Sequence, residues 1–191
     1  MTAMPPLSTE FTARTHGPVR DLARPGHGIR LLVIHVTDPP TPLISIPTAR
    51  STARYFSQTT EFASTHVVVD DHEGYRTLPD TVAPYAASGG DANARGLHCE
   101  FAGHAAWDRA TWLRHDAMLA LGGLVFAAWA DRYNISLGFL GPQSVGDGVA
   151  EGVTTHKNIS DGFHVPRGHQ DPGPGFPLDV LLGYARDAAG K

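Results

Sequence analysis

Ile29-Arg-Leu-Leu-Val-Ile-His-Val36 decides how this chain reads. Leucine and β-branched side chains follow one another almost without interruption, the pattern of a strand buried on both faces. Pro39, Pro40 and Pro42 close the run. Downstream, Thr48 to Gln58 predicts a short helix with Ala49, Ala53 and Phe56 on one face. Thr65-His-Val-Val-Val-Asp70 is a second strand, Asp71-His-Glu-Gly74 a turn, and Tyr75-Arg-Thr-Leu78 the returning arm of a hairpin. Val82 to Gly96 reads as loop, and Gly96-Leu-His-Cys-Glu-Phe101 as another strand. The longest helix is expected over Ala110 to Tyr133, where Leu113, Leu121, Leu124, Val125, Ala128 and Trp129 recur at helical spacing. Gly138 to Gly152 is a Gly-rich loop and Val153-Thr-Thr-His156 a short edge strand. Lys157 to Pro177 is irregular, and Leu178 to Ala188 forms a closing helix. One hairpin among strands otherwise separated by helices predicts an α/β fold, a central mixed β-sheet flanked by helices. Upstream, residues 1–28 carry Pro5, Pro6, Pro18 and Pro25 without a period and read as an N-terminal arm, either loosely ordered or wrapped on the surface. Residues 29–191 read as a single domain.

Composition narrows the function. With 41% hydrophobic and 18% charged residues, the chain is too apolar to be disordered. Fifteen Lys and Arg against nineteen Asp and Glu give a net charge of −4, which disfavours a nucleic-acid partner. A single cysteine, Cys99, leaves no internal disulfide framework and no Cys-rich zinc module. The N-terminus has no apolar signal region, and the uncharged stretch Ala117 to Ala130 is too short to span a bilayer. The expectation is a monomer made in the cytoplasm, without membrane association. Eleven histidines are many for this length and are the first hint of chemistry.

Three polar residues sit in awkward places. His35 lies in the most apolar strand. His156 ends a strand and opens a Gly/Pro-rich segment. Asp171 lies in Gly168-His-Gln-Asp-Pro-Gly-Pro-Gly175, whose prolines and glycines stiffen the backbone. Hydrolytic zinc takes three protein ligands and leaves a fourth position for water, and these three residues would supply such a set. A strand histidine is also commonly a satisfied core residue, and spacing does not choose between the two. The helical HExxH zinc motif is absent.

Five segments together carry a family resemblance. They are Leu31-Leu-Val-Ile-His35-Val-Thr, the hairpin Ser64-Thr-His66-Val-Val-Val-Asp70-Asp-His-Glu-Gly74, Asn93 with Glu100 seven residues on, Thr155-His156-Lys-Asn-Ile-Ser160, and Asp171-Pro-Gly-Pro-Gly-Phe-Pro177. In this order and over Ile29 to Ala188, the chain resembles the zinc-dependent N-acetylmuramoyl-L-alanine amidases of the amidase-2 family, which share a fold with T7 lysozyme and the peptidoglycan recognition proteins. Among these it is similar to phage endolysin domains.

The resemblance implies a Zn²⁺ held by His35, His156 and Asp171, with Glu100 as the catalytic carboxylate. A tyrosine used by the T7-type branch falls on Thr65, which leaves the base role to Glu100. A lysine often found two residues before the third ligand is His169 here. A nearby cation would lower the pKa of that imidazole below its usual ~6.5, so His169 is expected to act as a neutral N–H donor to the oxyanion, or as a cation only in mild acid. A Trp-His pair before the asparagine is Tyr85-Ala86 in this chain, which bears on substrate contacts and not on the metal. The segment from His156 to Asp171 is longer than usual and makes His164 a rival ligand. The implied substrate is bacterial peptidoglycan, cut between N-acetylmuramic acid and L-alanine. Release to the wall would follow a holin-type route. A cytoplasmic muropeptide-recycling amidase, or a non-catalytic peptidoglycan-binding module, are the alternatives.

The other candidates are blander. His98 shares a strand face with Glu100 and is read either as contacting the site or as a partly exposed strand histidine. His66 is expected to anchor the hairpin beneath the site. His16, His27, His72, His104 and His115 are assigned to solvated surface, and Cys99 to the core. A metal-free serine hydrolase around Ser144 in Gly141-Pro-Gln-Ser-Val-Gly146 fits the spacing of a nucleophile elbow poorly.

Overall fold

A computed structural model describes residues 2–23, 28–38, 47–88 and 91–190. The strands are β1 (Leu31–Val36), β2 (Val67–Val69), β3 (Gly74–Arg76), β4 (Gly96–Phe101) and β5 (Gly152–Thr155). Among the described residues they form one sheet in the order β3-β2-β4-β1-β5, parallel throughout except for β3. This is the expected mixed sheet flanked by helices. Parallel strands need covering on both faces, and the alternation along β1 shows how that is met. Leu32, Ile34 and Val36 join the large core under helices α4 (Asp116–Tyr133) and α7 (Leu178–Ala189). Leu31 and Val33 face the other way, into a smaller cluster with Ala92, Val145 and Ile159. His35 continues that second row at the carboxyl end of the strand.

The first helix, α1 (Ala49–Gln58), buries Ala49, Ala53 and Phe56 as its spacing predicts, and Thr48 caps it through Ser51. Other expectations are corrected. The long helix is two helices, α3 (Arg109–Leu113) and α4, broken at Arg114 and His115. Asp108 caps the first by accepting from Thr111 N–H. At the break Asp71 takes the Met118 N–H and the His115 ring. The break shifts the phase, so Leu113 and Leu124 are exposed, while Met118, Leu119, Val125, Phe126 and Trp129 are buried. Three segments read as loop contain short helices: α2 (Ala92–Arg95), α5 (Pro142–Gly146) and α6 (His156–Gly162). The third starts at His156 because Thr155 Oγ1 accepts from Asn158 N–H, an N-cap interaction.

The N-terminal arm is wrapped and not loose. Ser8 N–H donates to Gly74 O, Ala13 N–H to Thr77 O and Gly17 N–H to Ala83 O, so the arm runs along β3 and the segment after it. Arg20 reaches inward, its guanidinium donating to the carbonyls of Asp80, Asn93 and Gly96. Among the described residues no helix is long and apolar enough to cross a membrane.

Packing of α4 on the sheet relies on Gly122. A Cβ there would lie 2.4 Å from the tip of the Phe101 ring, which is itself buried against Phe176. Gly122→Ala is therefore expected to destabilise the fold by about 1–3 kcal/mol through overpacking, seen as a lower urea midpoint with an unchanged slope.

Candidate metal centre and active-site cleft

The site is assembled at the carboxyl ends of the parallel strands, where ligands settle in open α/β sheets. In the β1–β4 ladder His35 stands opposite Glu100 and Val33 opposite His98, so His35, His98 and Glu100 project from the same face. β5 pairs with β1 up to Thr155 opposite Ile34, which delivers His156 beside His35 at the first turn of α6. Asp171 arrives from the Gly/Pro-rich segment, and its carbonyl accepts the Lys157 N–H at 3.0 Å. Gly173 makes that approach possible. Its φ is +82°, and a Cβ would collide with the Ala105 carbonyl.

Three donor groups converge. His35 Nδ1 lies 3.1 Å from His156 Nδ1 and 3.5 Å from Asp171 Oδ2, and His156 Nδ1 lies 3.2 Å from Asp171 Oδ1. All three residues are buried, and their ligand atoms fall within 4.8 Å of one another. Burial pushes the His156 imidazole down to about 4, so near neutral pH its ring is uncharged and keeps a lone pair. For Asp171, burial works to raise the carboxyl, yet hydrogen bonds from His156, His169 and His35 hold it far below the usual carboxylate range. Two imidazoles and one carboxylate, buried and facing each other, make a donor set that fits Zn²⁺.

Glu100 stands beside His35 with Oε2 enclosed and unpaired. Burial raises its carboxyl to about 7, with His35 and His169 pulling down and Asp171 pushing up. His169 is more open, its side chain 63% exposed, and it stacks on His156 with ring centroids 4.0 Å apart. The hydrogen bond to the Asp171 carboxylate raises the His169 pKa. These residues line a cleft of about 640 Å³. Its rim includes Tyr55, Phe62 and Tyr85, the last two in edge-to-face contact at 5.1 Å. Phe62 is 81% exposed, and no periodicity in the sequence singles it out.

The family model for N-acetylmuramoyl-L-alanine amidases matches residues 25–174. The chain belongs to this amidase family. Among solved structures, the amidase is similar to the hydrolase AmiA of Staphylococcus aureus, solved with its ligand, at 17% identity and a TM-score of 0.68 over 99% of this chain and 87% of that one. It is also similar to LysCS of Clostridium intestinale, described as an endolysin N-acetylmuramoyl-L-alanine amidase, at 14% identity and a TM-score of 0.58 over 96% and 97% of the two chains. An AmpD derivative aligns at 18% identity and a TM-score of 0.61, covering 96% and 98%. At such identities the likeness concerns the fold. No curated protein matches the sequence.

The amidase distributes its remaining candidates unevenly. His164 is exposed at the end of α6 with a φ of +51° and stands outside the donor group. Ser144 lies in α5 and does not line the cleft. His98 is fully buried, not partly exposed, with Nδ1 2.9 Å from His35 Nε2. His66 is buried at the base of the hairpin, with Nε2 3.1 Å from Val82 O. Asn93 braces the cleft loop, its side chain accepting from Ala86 and Ala87 N–H and donating to Ala87 O. Thr65 donates to His98 O. His16 and His72 are exposed, and His27 lies outside the described residues. Two surface assignments are corrected. His104 is buried, edge-on to Trp107, and His115 is half-buried, stacked on Trp107 at 4.7 Å and bonded to Asp71. Trp107 comes from the segment between β4 and α3, and His115 from the break beyond α3, so that contact leaves no periodic signal in the sequence. Cys99 is buried on the face opposite Glu100, and burial pushes its thiol up.

Proposed function

We propose that the protein is a zinc-dependent hydrolase that cuts the amide between the lactyl group of N-acetylmuramic acid and L-alanine in bacterial peptidoglycan. The observation that carries this reading is the convergence of His35 Nδ1, His156 Nδ1 and Asp171 beside Glu100 in one cleft of an amidase-family chain. His35, His156 and Asp171 would hold Zn²⁺, which when bound acidifies water and polarises the amide carbonyl. Glu100 accepts the proton of the attacking water and passes it to the leaving nitrogen. Oε2 is suited to this because burial leaves it without a competing partner. His169, at the open side of the group, offers an N–H to the oxygen that gains charge in the tetrahedral intermediate. The products are a lactyl carboxylate and a free L-alanine amino terminus, so water supplies every atom gained. The cellular role we propose is that of an endolysin acting on the cell wall. LysCS, described as an endolysin amidase, shares this fold over nearly the whole chain.

Zinc-loaded protein is expected to release L-alanine amino termini from purified walls without new reducing ends, and a chelator should stop it. Binding to walls without release would leave the non-catalytic module. Turnover of soluble muropeptides with intact walls untouched would favour the recycling amidase. Equilibrium dialysis should load one zinc into the wild type and into His164→Ala, and lose that zinc in Asp171→Ala. Glu100→Gln is expected to retain zinc and lose about 10²–10⁴ in kcat. His169→Ala should likewise retain zinc and lose on the order of 10²–10³ in kcat, as for removal of one oxyanion donor.

A further inference from the structure

We propose that His98 is a positioning residue for the metal site, an imidazole that holds His35 with its proton on Nε2 and its Nδ1 lone pair aimed at His156 and Asp171. The inference rests on reading that group as a metal centre. His98 plays no part in the chemistry assigned to Glu100 and His169.

The assignment follows from counting donors. His98 Nε2 lies 3.2 Å from the Ala92 carbonyl oxygen, which can only accept, so Nε2 carries a hydrogen. His98 is fully buried, and its ring contacts are the Ala92 carbonyl and the His35 imidazole, with no carboxylate among them to hold a second proton. A neutral imidazole has one N–H, so His98 Nδ1 is an acceptor. Its neighbour at 2.9 Å is His35 Nε2, which must therefore donate. His35 is then left with a lone pair on Nδ1, the atom 3.1 Å from His156 Nδ1 and 3.5 Å from Asp171 Oδ2. A partner on the far nitrogen is how a ligating histidine has its tautomer and ring orientation fixed.

The surroundings of His98 are built for this contact. Its backbone N–H donates to His66 Nδ1 at 3.1 Å, and its backbone carbonyl accepts from Thr65 Oγ1 at 2.9 Å and from the His66 backbone N–H at 3.2 Å. His66 in turn donates from Nε2 to Val82 O. Gly96, two residues earlier on the same face of β4, leaves the space. A Cβ there would lie 2.5 Å from His98 Nε2 and 2.6 Å from Ala92 O, inside the bond that sets the tautomer.

The test reads the tautomer directly. In metal-free protein labelled with ¹⁵N-histidine, long-range ¹H–¹⁵N spectra near neutral pH should show both His35 and His98 protonated on Nε2. His35 protonated on Nδ1 would overturn the proposal, whether or not the protein binds zinc. Zinc affinity, measured by competition with a chromophoric chelator, should fall about 10- to 100-fold in His98→Leu, the usual cost of losing such a partner. His98→Asn places a carbonyl oxygen where Nδ1 stood and should recover most of that loss. Equal affinities for wild type and a folded His98→Leu would reduce His98 to packing. Failure of the wild type to bind zinc would instead count against the metal reading, and the tautomer measurement would still decide this one.

Discussion

Parallel pairing of β1 with β4 in a single register is the constraint on which the site depends. It sets His35 beside Glu100 and Val33 beside His98. Because side chains alternate along a strand, a slip of one residue would send Glu100 to the core and bring Cys99 to the cleft. The register is protected by what the opposite face buries. Leu97, Cys99 and Phe101 sit in the core with Leu32 and Ile34 beneath α4 and α7, and a slip of β4 would turn the first three out of it together. The burial that stabilises the sheet thus also fixes the geometry of the chemistry.

Around that register one carboxylate does most of the electrostatic work. Asp171 lies within 3.5 Å of ring nitrogens from His35, His156 and His169, and these contacts keep it anionic despite its burial. Glu100, a short way along the cleft, has an enclosed oxygen with no such partner, and its carboxyl rises to about 7. Two acidic side chains in one cleft are thus pushed apart by their surroundings, one held anionic and the other raised toward neutrality.

The strands were legible because each is an apolar run closed by Pro, Gly or Asp, and α1 because its apolar spacing is regular. His35, His156 and Asp171 could be selected from the sequence only through the order of the five motifs, and the structure brings them together. The break at His115 was hidden because apolar residues surround α4 on nearly every side, which erases phase. The start of α6 was hidden because Thr155 belongs to an apolar-flanked strand and caps a helix at the same time. The bond between His35 and His98 depends on the strand register, on the Ala92 carbonyl and on the space at Gly96, and none of these is visible from spacing along the chain.

The arm alongside β3 bears on where this domain can be cut. The family match begins at residue 25, beyond Ser8, Ala13 and Gly17 and their hydrogen bonds to the sheet edge and the segment after it. A fragment trimmed to that boundary would uncover a hydrogen-bonding rim on the outer strand and remove the cover that Leu7 gives Gly74. Such a rim invites strand pairing between molecules, so the trimmed fragment would tend toward self-association even with its cleft intact.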